Sequence, residues 1–169
     1  VTSLIDTQPD KARHMLEKFT HYLRTTLLRT RESESTLGNE IEMIRTYLDI
    51  IQIRMGARLR YNIDVPAALN HANFPPMLFQ PLVENAVKHG LEPKVEGGTL
   101  TISARNKNGR LQLSVEDDGL GFKGERSGGL GLVNVRERLA VLFDKKAQLT
   151  LEECSPCGTR ATIELPTNG

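Results

Sequence analysis

No cluster of lysines and arginines occurs along the 169 residues, and the formal net charge is only +1. A chain without a basic face has no electrostatic footprint for nucleic acid or for an anionic membrane surface. No uninterrupted apolar stretch is long enough to span a bilayer and no segment is laid out like a signal peptide, so a soluble piece is expected. Cysteine is scarce: Cys154 and Cys157 form one C-x-x-C, with no second pair to complete a zinc tetrahedron. The pair sits in a Ser-Pro-Cys-Gly turn rather than at a helix start, which favours a structural reading over redox chemistry. Internal repeats, low-complexity tracts and a Gly-Lys-Ser/Thr phosphate loop are also missing.

Chain length allows one well-buried core, or a core of roughly 100 to 110 residues carrying a helical extension, and the second arrangement is expected. Ala12, Met15, Leu16, Phe19, Leu23 and Leu27 follow helical spacing, with Asp10 placed to cap the start. A polar stretch from Arg31 to Thr36 separates this helix from a second, whose Ile41, Ile44, Leu48, Ile51 and Met55 recur in alternating steps of three and four. Both stripes predict core faces. Strand-like alternation follows over Leu59–Val65, Thr99–Ala104, Leu111–Val115, Gln148–Leu151 and Thr159–Leu165, and Asn108-Gly109 predicts a hairpin turn. Helices interleaved with hairpin-linked strands predict an α+β fold, a two-layer α/β sandwich whose mixed sheet carries helices on one face, preceded by a helical segment.

Three segments carry chemistry. Pro81-Leu82-Val83-Glu84-Asn85-Ala86-Val87-Lys88-His89-Gly90 sets Asn85, Lys88 and His89 along one helical stripe ahead of a glycine expected to stop the helix. Val115-Glu116-Asp117-Asp118-Gly119-Leu120-Gly121 reads as a strand that ends at a carboxylate followed by Gly-x-Gly. The carboxylate can accept from an amine, and the glycines let the backbone approach a flat ligand. Ser127 to Leu139 is a glycine loop entering a helix whose core stripe is Leu132, Val135, Leu139 and Leu142, and whose first-turn amides suit phosphate. Taken singly, each has an ordinary explanation, because Asp-Gly is a common turn pair and glycine loops cap many helices. Gly119 to Gly124 also satisfies G-x-G-x-x-G, but Phe122 to Gly129 is polar and glycine-broken and no βαβ unit surrounds it, which excludes a dinucleotide fingerprint.

The order of the pieces is more specific than any one of them. A polar helix, Asp-x-Gly-x-Gly after a strand, Gly-x-Gly-Leu before a helix and Gly158-Thr159 opening the last strand resemble the N, G1, G2 and closing Gly-Thr boxes of the histidine kinase and gyrase ATP-binding superfamily. Within it, the chain resembles the LytS/YehU type of sensor histidine kinase from about Ser3 to Leu165. Asp10 to Arg29, Tyr47 to Arg54, Pro75 to Asn85 and Gly131 to Leu139 carry that likeness.

The resemblance implies a Bergerat-type ATP-binding fold, with residues 1–36 a remnant of the helical dimerisation and phosphoacceptor domain and residues 37–169 the catalytic domain. It implies ATP and Mg²⁺ as cofactors. Asp117 would accept from the adenine amine, Gly119 and Gly121 would shape the adenine edge, and Thr159 would close the base pocket. Gly129 and Gly131, with Leu132, would bring the backbone to the phosphates, and His89 joins the nucleotide-binding set. Asn85 would supply an amide oxygen to Mg²⁺ and Lys88 a phosphate contact. Glu84 adjoins the asparagine, where a carboxylate is able to assist the acceptor imidazole; the sequence leaves its role open. Pro81 stands where gyrase-like relatives carry a water-activating glutamate, which implies a kinase rather than an ATPase. Gly121 to Gly129 is expected to form a short mobile lid.

The acceptor of the LytS/YehU type lies in a Pro-His-Phe-Leu-Phe-Asn segment, and none of His14, His21, His71 or His89 has those neighbours. The acceptor is therefore expected upstream of Val1, and the chain is expected to bind nucleotide without labelling itself. Implied partners are the histidine-bearing domain of its own parent chain, a cognate response regulator and a second copy in the parent, with no nucleic acid and no membrane contact by this piece. The implied location is cytoplasmic, in a parent anchored in the bacterial inner membrane. Two other readings of the same fold stay open: a non-catalytic interaction module, and an anti-sigma-type serine kinase.

Overall fold

Alternation in the sequence becomes the two faces of a sheet. The computed structural model describes residues 2–121 and 130–167. Among these, one sheet runs in the order β1 (Leu59–Asp64), β2 (Gly98–Lys107), β3 (Arg110–Asp117), β5 (Thr159–Pro166) and β4 (Gln148–Glu153). β1 pairs parallel with β2, and the other neighbours are antiparallel, so the sheet is mixed as expected. Asn108 and Gly109 take φ of 53° and 73° between the paired Lys107 and Arg110, the two left-handed positions a tight hairpin between twisted strands requires.

Leu100, Ile102 and Ala104 of β2, Leu111, Leu113 and Val115 of β3 and Ala161, Ile163 and Leu165 of β5 are buried on one face. The opposite face is polar, with Ser114 hydrogen-bonded to Thr162 at 2.8 Å and Arg160 donating to Glu116 at 2.6 Å. Helices therefore cover a single face. α3 (Leu37–Met55) lays Leu37, Ile41, Ile44, Leu48, Ile51 and Met55 into the core, its start capped by Thr36 Oγ1 accepting from Asn39 N at 3.2 Å. α5 (Leu130–Phe143) buries Leu132, Val135 and Leu139. Leu142, expected in the same stripe, is instead 51% exposed. The last turn of α5 flanks a surface groove shared with Phe74 and Leu165 rather than the closed core.

The amino-terminal helices differ more from expectation. α1 (Thr2–Thr7), for which the sequence carries no clear signal, precedes α2 (Pro9–Arg29). Gln8 and not Asp10 is the residue before α2; Pro9 opens the helix, and Asp10 lies in its first turn, where a carboxylate favours the positive helix end. Ala12 and Met15 are buried, but Leu16, Phe19, Leu23 and Leu27 are 45–68% exposed. The stripe is amphipathic without being core: α2 packs chiefly along α3 and against the short α1, and most of its apolar residues stay exposed. Among the described residues no helix is long and apolar enough to cross a membrane.

Candidate functional site

Asp117 is in phase with Leu111, Leu113 and Val115, so its side chain enters the helix-covered face, where it is 3% exposed. Burying a carboxylate is costly without donors, and Oδ1 accepts from Gly119 N at 2.9 Å. Its cross-strand partner on β5 is Thr159, in phase with the buried Ala161 and Ile163. Three glycines close on this corner. A Cβ on Gly90 would lie 2.5 Å from Asp117 Oδ1, one on Gly119 would strike the Gly90 carbonyl, and one on Gly158 would strike the Asp117 carbonyl. Gly158 also has φ +103° and Gly121 φ +70°, conformations that side chains rarely adopt.

The adjacent aspartate does different work. Asp118 Oδ1 accepts from Thr99 N at 2.7 Å, and its carbonyl accepts from Lys94 Nζ at 2.7 Å, tying the exit of β3 to the start of β2. Cys157 Sγ also reaches the Asp118 carbonyl at 3.4 Å, and Cys154 and Cys157 are free thiols. Burial, then the nearby Glu116 carboxylate, pushes the Cys154 thiol up, which makes it a poor thiolate.

Asn85 is the last residue of α4 (Gln80–Asn85), and the chain continues as a π-helical turn over Ala86–Leu91 that packs on β2 and β3. Gly90 is thus not the helix stop the sequence suggests. The wider turn carries the chain through it, with Glu92 N donating to Val87 O at 2.9 Å, and Gly90 is required by its approach to Asp117. Leu120 N donates to Gly90 O at 3.1 Å, so the turn after Asp117 is bonded to the turn after Asn85. Asn85 and His89 are half-buried and Lys88 is exposed. A Cβ on Gly131 would lie 3.6 Å from Pro81 Cβ, which sets the first turn of α5, with Leu132, beside the first turn of α4. Asp117, Gly119, Gly121 and Thr159 thus share one corner, and the element bearing Asn85, Lys88 and His89 joins that corner to α5. Gly129 and residues 122–129 of the expected lid lie outside the described residues.

Glu84 faces the helical segment. Its Oε1 accepts from Gln80 Nε2 at 3.3 Å, and the same Nε2 donates to the Tyr22 hydroxyl of α2 at 3.1 Å. Burial, then the Glu84 carboxylate, pushes Tyr22 up to about 12 and raises Tyr47, whose ring centroid lies 6.1 Å from that of Tyr22. Near them sits a residue that no sequence motif singles out. Glu40 of α3 is 1% exposed, and its carboxylate accepts from Met77 N at 2.8 Å, Phe79 N at 2.9 Å and Gln80 N at 3.2 Å. Burial raises its pKa, and the three amide donors act against that shift. Gln80 lay inside the motif, but its contact with α2 is non-local and left no local sign.

Comparisons with known proteins agree with this geometry. A family model described as histidine kinase matches residues 1–59, and one described as histidine kinase-, DNA gyrase B-, and HSP90-like ATPase matches residues 72–169. The chain is 33% identical to sensor histidine kinase BtsS of Escherichia coli (strain K12) over 168 residues, which are 98% of this chain and 30% of that protein. It is 29% identical to sensor histidine kinase/phosphatase LytS of Staphylococcus aureus (strain MRSA252) over 180 residues, 98% of this chain and 31% of that protein. The chain therefore spans about a third of the length of these relatives. Among solved structures, the histidine kinase domain of a blue-light activated histidine kinase from Erythrobacter litoralis gives a TM-score of 0.65 at 20% identity, covering 98% of this chain and 83% of that one. The catalytic domain of histidine kinase ThkA gives 0.60 at 14%, covering 79% and 95%, a likeness of fold.

Proposed function

We propose a function from one premise: this chain belongs to the histidine kinases and carries the ATPase fold of their catalytic domain. It binds Mg²⁺-ATP and transfers the γ-phosphoryl group to a histidine on a helical domain of its own parent chain, from which a cognate response regulator takes it. The observation that carries this reading is the buried Asp117 carboxylate set among Gly90, Gly119 and Gly158. A fixed acceptor with bare backbone around it suits an adenine amine and disfavours guanine, which offers a carbonyl at that edge. Thr159, directly across the ladder, closes the base pocket, and Gly121 and His89 complete the nucleotide side. Gly131 and Leu132, with Gly129, bring the start of α5 to the phosphates, and Lys88 contacts a phosphate oxygen.

Asn85 supplies an amide oxygen to Mg²⁺. Among the described residues no cluster of three or more His, Cys, Asp or Glu side chains is placed to hold a metal, and a lone amide oxygen fits a hard cation that draws its other ligands from phosphate and water. Mg²⁺, when bound, neutralises and orients the phosphate oxygens. Pro81 in the first turn of α4 offers no base to activate water, which reserves bound ATP for transfer. Glu84 lies on the side where α2 packs, and assists the incoming imidazole. Residues 1–36 belong to the helical domain and residues 37–169 to the catalytic one, and the exposed Leu16, Phe19, Leu23 and Leu27 support pairing with a second copy in a parent anchored at the inner membrane, this part on its cytoplasmic side.

The test is to incubate the chain with radiolabelled ATP, alone and with the histidine-bearing helical domain of the parent. An acid-labile, alkali-stable label on that domain, and none on the chain alone, is the expected result. An acid-stable label would point to serine transfer, and label on His14, His21, His71 or His89 would place the acceptor in this chain.

A further inference from the structure

α4 does not hold its direction by itself. It has six residues and runs on into the π-helical turn, its leading residue Phe79 makes no side-chain cap, and Pro81 in the first turn has no amide to bond. Isolated helices of about 12 residues are still marginal in water, so the orientation of such a piece comes from its anchors. All the amides noted at its entrance, those of Met77, Phe79 and Gln80, donate to the single carboxylate of Glu40, which reaches across from the first turn of α3. Met77 takes a left-handed φ of 57° in the turn that aims these amides. The same entrance is held from α5, where Arg138 Nη2 donates to Pro76 O at 2.9 Å. Asn85 follows Gln80 by five residues, about 7.5 Å along the helix axis, so the pose of the first turn bears on where Asn85 is presented.

We propose that Glu40 is a positioning residue of the metal–nucleotide site, holding the first turn of α4 so that Asn85 is presented to the metal. This rests on the reading of Asn85 as the Mg²⁺ ligand. Glu40 touches neither metal nor nucleotide; it acts through backbone amides. Its two oxygens must accept three bonds, and a glutamine in its place turns one acceptor into a donor facing an N–H group.

The experiment measures ADP affinity of the chain with and without Mg²⁺ for the wild type, Glu40→Gln, Asn85→Ala and the double variant. Glu40→Gln is expected to lower the Mg²⁺-dependent gain in affinity at least about fivefold while the Mg²⁺-free affinity stays within about twofold, because Asp117 carries the latter. In the Asn85→Ala background it is expected to change nothing further. Equal loss with and without Mg²⁺ would mark Glu40 as merely structural, and an intact gain would overturn the proposal outright. Should Glu40→Gln not fold, Glu40→Asp, which keeps the charge and withdraws it by one methylene, is measured instead; a folded Glu40→Asp with an unchanged gain also overturns it. Absence of any Mg²⁺-dependent gain in the wild type would reject the reading of Asn85, and this proposal with it. A gain lost in Asn85→Ala but kept in Glu40→Gln rejects the proposal alone.

Discussion

Asp117 and Asp118 are neighbours with opposite duties, and strand alternation decides which is which. Position 117 shares the phase of Leu111, Leu113 and Val115 and turns inward, whereas Asp118 leaves the ladder to bond Thr99 N. That choice is legible in the sequence once the strand is recognised. The reason for Gly90 is not, because it lies in a contact with a residue 27 positions away in the chain, seen only when the π-helical turn is packed on β3. With Asp117 in its proposed role, Asp117→Asn replaces the acceptor for an adenine amine by a donor; losing such a contact costs on the order of 1 to 3 kcal/mol. ADP affinity should fall at least about tenfold in a folded protein, and an unchanged dissociation constant by calorimetry would reject the adenine assignment. Gly90→Ala places a methyl 2.5 Å from the same carboxylate. It should lower stability by roughly 1 to 3 kcal/mol through overpacking and weaken ADP binding as well. A denaturant midpoint and affinity matching the wild type would contradict that close approach.

At the scale of elements, helical periodicity exposes amphipathicity but not what covers each face. The stripe of α3 is core and the stripe of α2 is largely bare, although the two read alike in the sequence. Besides the buried Ala12 and Met15, a polar contact ties α2 to α3: Lys18 Nζ donates to Asp49 Oδ2 at 3.0 Å, while Asp49 Oδ1 accepts from the Tyr61 hydroxyl of β1. Burial alone would raise the Asp49 carboxyl, but the Tyr61 hydroxyl and the Lys18 ammonium outweigh it and hold it below the ordinary carboxylate value. A depressed pKa in the folded state contributes stability above the unfolded value of about 4, lost as pH falls through the folded value. Because the pair is partly exposed, the contribution is roughly 0.5 to 1 kcal/mol. Denaturant midpoints of the wild type and Asp49→Asn should therefore differ at pH 7 and converge on acidification. The comparison cancels other carboxylates, including Glu40, whose raised pKa acts in the opposite direction. A gap that persists unchanged at low pH would show that Asp49 contributes by shape and not by charge.

For the whole molecule, the strands, the hairpin at Asn108-Gly109 and the mixed sheet follow from local periodicity and turn chemistry, which is why they could be read from the chain alone. The passage of the helix through Gly90, the bare face of α2 and the buried Glu40 depend on partners distant in sequence, and no local pattern encodes them. The candidate site combines both kinds of information: its residues sit in recognisable motifs, while their convergence depends on Gly90, Gly119 and Gly158 permitting close backbone approach. The most direct test of the proposed ATP site is calorimetric titration of the folded chain with an ATP analogue, with and without Mg²⁺. Saturable binding that Mg²⁺ tightens at least about fivefold is expected, with loss of that tightening in Asn85→Asp, where a carboxylate replaces the amide proposed to ligate the metal. A folded wild-type chain that binds no nucleotide at millimolar concentration, with or without the metal, would contradict it.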